Sequence, residues 1–161
     1  MKLLIVDDEE LTRTGVISSI DWQSIGIQEV LQADDGINGI EMARVHRPDI
    51  VLCDVRMPRL DGIAMLEQLE EILPDIVPVF MSGYSDKEYL KAAIKLKAVN
   101  YIEKPLNPVE IQDAIMEARD LCLEKNAPGK MRPSIPWKAL PAWHFFSPSL
   151  SHMRRKVLIS S

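Results

Sequence analysis

Five short apolar runs punctuate the chain, at residues 3–6, 27–31, 50–53, 76–81 and 98–102, with amphipathic segments between them. The first, third and fourth are almost continuously apolar, as strands are when helices cover both faces of a sheet. Gln28, Glu29 and Gln32 mark the second run as suited to a sheet edge. Pro78 sits awkwardly in the fourth, because proline cannot donate to a ladder. The intervening segments read as helices. After Asp61, the residues Ile63, Leu66, Leu69, Ile72 and Leu73 keep three-to-four spacing. Ser85-Asp86-Lys87-Glu88 forms a capping box for a fourth helix. For a fifth, Asn107 is the cap, Pro108 takes the first helical position and Glu110 the third. Behind that cap Ile111, Ile115, Ala118 and Cys122 fall on one stripe.

Strands alternating with helices predict a parallel sheet wound right-handedly with helices on both faces. Five such units give a flavodoxin-like (βα)5 doubly wound domain over residues 1–124. The character then changes. Residues 126–161 hold five of the eleven prolines and two of the three tryptophans, and no helical or alternating period survives there. Residues 125–161 are therefore expected to be a linker or irregular tail, with the break at Asn126-Ala127-Pro128-Gly129. A net charge of −5 argues against nonspecific binding to DNA or anionic membranes. The two cysteines, Cys53 and Cys122, have no disulfide or metal-ligand spacing. With no apolar run long enough for a signal peptide or a bilayer span, the expected location is the cytoplasm.

The residues that follow four of the five runs carry the chemistry. Run one ends in Asp7-Asp8, run three in Asp54, run four in Ser82 and run five in Lys104. All sit at carboxyl ends of strands, the edge where open α/β sheets bind ligands. In the order 2-1-3-4-5, strands one and three are neighbours at the reversal of strand order, so Asp7, Asp8 and Asp54 should converge. Carboxylates so placed repel one another and call for protonation, a lysine or a divalent cation. An oxygen-rich site with few protein ligands suits Mg²⁺. With Lys104 beside the metal, the pocket would accept a phosphoryl group attacked in line by a carboxylate, and Ser82 would offer a hydroxyl to it.

Four blocks in this order, Val6-Asp7-Asp8-Glu9, Asp54 to Gly62, Met81-Ser82-Gly83 and Tyr101 to Pro105, resemble the receiver domain of two-component response regulators. The resemblance implies that Asp54 is the phosphoacceptor for a partner histidine kinase. It further implies that Mg²⁺ is held by Asp8, by Asp54, by Asp7 mainly through water and by the backbone carbonyl of Arg56. Lys104 and Ser82 would contact the phosphoryl group. Ser82 and Tyr101 would act as the switch, altering the surface of the fourth helix, fifth strand and fifth helix, through which a homodimer would form. Pro58, Gly62 and Pro105 would be structural turn residues, with a cis bond before Pro105. Ser82 stands where the family more often has threonine, and Lys97 where a helix-ending glycine is common. The stretches Ile20-Asp21-Trp22 and Ser82 to Asp86 also resemble receivers joined to a paired helix-turn-helix output of the arabinose-regulator type. The tail is too short for such an output, so DNA would be reached only through a domain not present here.

Blander assignments compete residue by residue. Asp7 and Asp8 would serve as helix caps, Asp54 as a turn residue before Pro58, and Lys104 as a solvated surface lysine. Asp61 reads as a helix cap alone. His46 reads as a surface residue near a helix end, and Arg154-Arg155-Lys156 is too short a basic run to indicate nucleic-acid binding. Two other functions fit the same fold. A phosphohydrolase with an aspartyl-phosphate would carry D-x-D after its first strand, whereas here the nucleophile follows strand three and Arg56 takes the second position. A flavodoxin-type nucleotide site needs a phosphate cradle after strand one, where Asp7-Asp8-Glu9-Glu10 would repel it. The sequence thus favours a phosphoacceptor regulator over an enzyme.

Overall fold

The computed structural model describes residues 1–83 and 100–127. The capping box at Ser85, the position of Lys97 and all of the tail beyond Ala127 lie outside the described residues. The elements are β1 (Lys2–Val6), α1 (Glu10–Ser19), a 3-10 turn (Gln23–Ile25), β2 (Glu29–Ala33), α2 (Gly36–His46), β3 (Ile50–Asp54), α3 (Gly62–Ile72), β4 (Val77–Ser82), β5 (Asn100–Glu103) and a last helix (Pro108–Lys125). All strand pairs are parallel, in the order β2-β1-β3-β4-β5.

Alternation along each strand sends side chains into two separate cores. Leu3, Ile5, Ile50, Leu52, Val79 and Met81 face Val16 of α1 and the stripe Ile111, Ala114, Ile115, Ala118 and Cys122 of the last helix. Leu4, Val6, Val51, Cys53 and Phe80 face Ile40 and Ala43 of α2 and Met65, Leu66 and Leu69 of α3. Every residue of β3 and β4 is buried, which explains their unbroken apolar reading. Both cysteines are buried and free.

Two expectations shift. β2 runs over Glu29–Ala33, two residues later than the apolar run at 27–31. Ile27 is buried, but its amide N–H bonds Trp22 O and that of Gln28 bonds Met1 O. Its apolar signal reflects closure of the first core beneath the sheet. Pro78 does lie inside β4. The Val77 N–H donates to Asp49 O and the Met81 carbonyl accepts from Val55 N–H, so alternate residues of β4 bond towards β3. Pro78 faces the other side, where the β5 pairing begins only at Val79 opposite Asn100. Its missing N–H therefore interrupts no described ladder bond.

At the carboxyl edge the backbones are tied sideways. Asp7 N–H donates to Ala33 O (3.2 Å), Val55 N–H to Met81 O (3.0 Å) and Lys104 N–H to Ser82 O (2.8 Å). Two caps behave as read: the Asp61 carboxylate accepts from Ala64 N–H and the Asn107 side chain from Val109 N–H. The Lys104–Pro105 bond is cis. Gly62 is required by close approach, since a Cβ there would stand 2.2 Å from Asp54 O. That carbonyl belongs to the main chain of β3 and cannot rotate away. We expect Gly62→Ala to lose about 2 kcal/mol of stability in urea denaturation, overpacking outweighing alanine's better helix propensity.

Candidate functional site

Strand lengths and register deliver the acidic residues to one place. Asp54 is the last residue of β3, and Asp7 follows β1 directly, where Val6 pairs with Cys53. Asp7, Asp8 and Asp54 each offer a carboxylate oxygen, all within 4.8 Å of one another. Asp7 is fully buried, Asp54 nearly so, and Asp8 exposed. Lys104 leaves the end of β5 and places Nζ 2.8 Å from Asp54 Oδ2 and 3.6 Å from Asp7 Oδ2.

The helix-cap reading of Asp7 and Asp8 fails here. Glu9 occupies the cap position of α1, without a side-chain hydrogen bond. Asp7 Oδ1 instead accepts the Glu9 N–H at 2.8 Å, while Oδ2 is buried with no hydrogen bond. Arg56 N–H donates to Asp54 Oδ1 at 3.2 Å, and Lys104 donates to the other oxygen. The turn after Asp54 thus orients the carboxylate as well as reversing the chain.

Charge follows from this packing. Burial pushes the Asp7 carboxyl up to about 6, and nearby Asp54 and Asp8 add to the rise, against the Glu9 N–H and Lys104. Burial alone would depress the Lys104 ammonium. Its hydrogen bond to Asp54 and the charges of Asp54 and Asp7 more than offset that, holding it above the usual lysine range. With every group ionised, three carboxylates meet one ammonium. Two unit charges at such a separation repel by about 3 kcal/mol at an effective dielectric constant of 20. The excess charge, the all-oxygen donor set and the orphaned Asp7 Oδ2 fit a hard divalent cation.

Ser82 is buried at the end of β4. Its Oγ donates to Gly83 O at 3.0 Å and shares a short hydrogen bond with the Tyr101 hydroxyl. Because the single serine proton goes to Gly83, Tyr101 is the donor in that pair. Tyr101 is half-buried and packs against the core beneath α2 and α3. The expected set thus falls into two adjoining groups, Asp7, Asp8, Asp54 and Lys104, and Ser82 with Tyr101. Sequence reasoning missed Asp35 and Arg59. Asp35 is buried at the cap of α2 and ion-paired with Arg59. The signal available was only an aspartate before Gly36 and an ordinary surface arginine.

A parallel 2-1-3-4-5 sheet with an acidic, lysine-closed pocket at its carboxyl edge defines a doubly wound α/β domain with its candidate site where such folds bind ligands. The response regulator receiver domain model matches residues 3–116, and the chain belongs to that family. An uncharacterized response regulatory protein of Staphylococcus epidermidis is 32% identical over 111 residues, covering 69% of this chain and 43% of that protein. The transcriptional regulatory protein HptR of Staphylococcus aureus is 31% identical with the same coverage. The chain therefore spans less than half the length of these curated relatives. Among solved structures, a two-component transcriptional regulator AraC from Clostridium phytofermentans is 50% identical with a TM-score of 0.75, over 79% of this chain and 98% of that one. Receiver domains bind Mg²⁺ at an acidic pocket, and in this chain Asp7, Asp8 and Asp54 form an acidic cluster whose oxygens could hold a metal ion. No helix among the described residues is long and apolar enough to cross a membrane.

The raised Asp7 carboxyl makes a pH prediction for the metal-free protein. The folded state holds this proton more tightly than the unfolded chain does, where the ordinary value is 3.8. Its stabilising contribution is full below about pH 4 and lost as pH rises through about 6. In EDTA, Asp7→Asn should then exceed wild type by about 1–3 kcal/mol above pH 7, the gap closing towards pH 4. Urea denaturation across that range measures it.

Proposed function

We propose that this chain is a phosphorylation-dependent switch of a two-component system, with Asp54 as the phosphoacceptor for a histidine kinase. The observation that carries this reading is the buried Asp54 carboxylate hydrogen-bonded to Lys104 beside the unsatisfied oxygen of Asp7. An Asp54 oxygen attacks the phosphorus of a phosphohistidine in line. The new O–P bond forms as the N–P bond breaks, and the imidazole nitrogen leaves with its electron pair and takes up a proton. Lys104 stabilises the phosphoryl oxygens as charge shifts onto them, and the Arg56 N–H keeps the carboxylate oriented. Asp8, Asp54, the Arg56 carbonyl and, mainly through water, Asp7 would hold Mg²⁺, which supplies positive charge against the phosphoryl oxygens.

Ser82 and Tyr101 form the switch. Once Asp54 carries the phosphoryl group, the serine hydroxyl turns from Gly83 O towards it, and Tyr101, whose hydroxyl bonds that serine, moves with it. The response would be read on the surface of β5, the last helix and the fourth helix expected from the sequence, which lies outside the described residues, and a homodimer would form there. We assign residues 1–124 to the receiver and 125–161 to a linker or tail. The chain acts as a phosphoacceptor in the cytoplasm, its only catalysis being its own phosphorylation and dephosphorylation. The transcriptional names of the relatives favour a second reading, in which this receiver governs DNA binding through an output domain. The reading frame downstream of this chain in its gene separates the two: continuation into a helix-turn-helix domain supports the second reading.

With Mg²⁺ and acetyl phosphate, intact mass should rise by one phosphoryl group, and EDTA should prevent it. Asp54→Asn should remain unlabelled. Labelling of that variant at the same peptide, to the same extent as wild type, would refute the assignment.

A further inference from the structure

The loop that follows Asp54 is anchored at its tip by an ion pair that phosphoryl chemistry does not use. After β3 the chain closes on itself, Gly62 N–H donating to Val55 O at 2.9 Å and Leu60 N–H to Pro58 O at 2.8 Å. Arg56, whose N–H orients Asp54, lies within this loop. At its tip Arg59 adopts φ 67, in the left-handed region that favours glycine. Its Nη2 donates to Asp35 Oδ2. Asp35 is only 4% exposed although charged, and its Oδ1 caps α2 by accepting Asn38 N–H at 2.8 Å. The next residue, Gly36, meets the same loop, for a Cβ there would stand 2.5 Å from Leu60 O. Two adjacent contacts therefore seat the loop tip on the first turn of α2. A buried carboxylate needs a partner, and Arg59 reaches it from a backbone conformation that arginine does not otherwise favour.

We propose that Asp35 and Arg59 are a positioning pair for the phosphoacceptor site. By fixing residues 56–60 against α2 they hold the Arg56 backbone where it both orients Asp54 and completes the acidic pocket. The pair touches neither the phosphoryl group nor the cation and acts through Arg56. This rests on the reading of Asp54 as a phosphoacceptor used with Mg²⁺.

Two substitutions isolate the pair. Asp35→Asn keeps a good helix cap but removes the charge, and Arg59→Gly keeps the backbone conformation but removes the guanidinium. For each, Mg²⁺ affinity is measured by calorimetry, and phosphoryl uptake from acetyl phosphate is measured at saturating Mg²⁺. Amide hydrogen exchange across residues 56–61 is followed in the metal-free protein. Both variants should bind Mg²⁺ on the order of tenfold more weakly, as when partners that orient metal ligands are lost, and should exchange faster in the loop. The double variant should lose no more than the worse single one, because the residues act as a unit, and Arg59→Lys should recover part of the loss. Wild type is labelled in parallel. If it takes up no phosphoryl group at Asp54, the functional reading fails, and the pair's hold on the loop is judged on exchange alone. If wild type labels and both variants match it in Mg²⁺ affinity and loop exchange, or differ only in thermal stability, the positioning role is overturned.

Discussion

Repulsion among Asp7, Asp8 and Asp54 is the constraint around which the rest of the structure is arranged. No folding advantage comes from gathering three carboxylates at one edge, two of them buried. The arrangement persists because each is fixed by something stronger than its neighbours' charge. Asp54 ends a strand buried along its whole length, and Asp7 follows a strand paired on both sides. Two separate cores clamp that sheet from opposite faces. Lys104 offsets part of the charge, and a divalent cation would offset the remainder. The hydrophobic sandwich is therefore what keeps an unfavourable electrostatic cluster intact until a ligand makes it favourable.

Much of this was legible in the sequence, for reasons that can be traced to particular residues. β3 and β4 read clearly because burial on both faces leaves no polar position to confuse the pattern. The pocket residues stood out because four of the five apolar runs, all but the second, end on a chemically distinctive side chain. β2 was misplaced by two residues because Ile27 is buried for a reason other than pairing. Pro78 looked wrong because sequence does not say which side of a strand each amide faces. Asp35 and Arg59 were invisible as a pair, since one resembles any helix cap and the other any surface arginine. The bond between the Ser82 and Tyr101 hydroxyls depends on side-chain rotamers, which periodicity does not report.

The strand alternation also decides what the pocket can reach. Tyr101 packs on the side of α2 and α3, whereas its neighbour Ile102 joins the core beneath α1 and the last helix. The Tyr101 hydroxyl nevertheless meets Ser82, the buried last residue of β4. A single side chain thus connects the chemistry at the sheet edge with the packing of one face, while α3 begins against the Asp54 main chain through Gly62.

The sideways ties at the sheet edge carry a mechanical implication. Asp7 is pinned to Ala33, Val55 to Met81, and Lys104 to Ser82, each through the main chain. These ties fix the main chain at the sheet edge and leave rotation to the side chains it carries. Under the proposed function, a bound phosphoryl group would be accommodated by bond rotations in Lys104, Ser82 and Tyr101, with the strands as the fixed datum against which those rotations are felt.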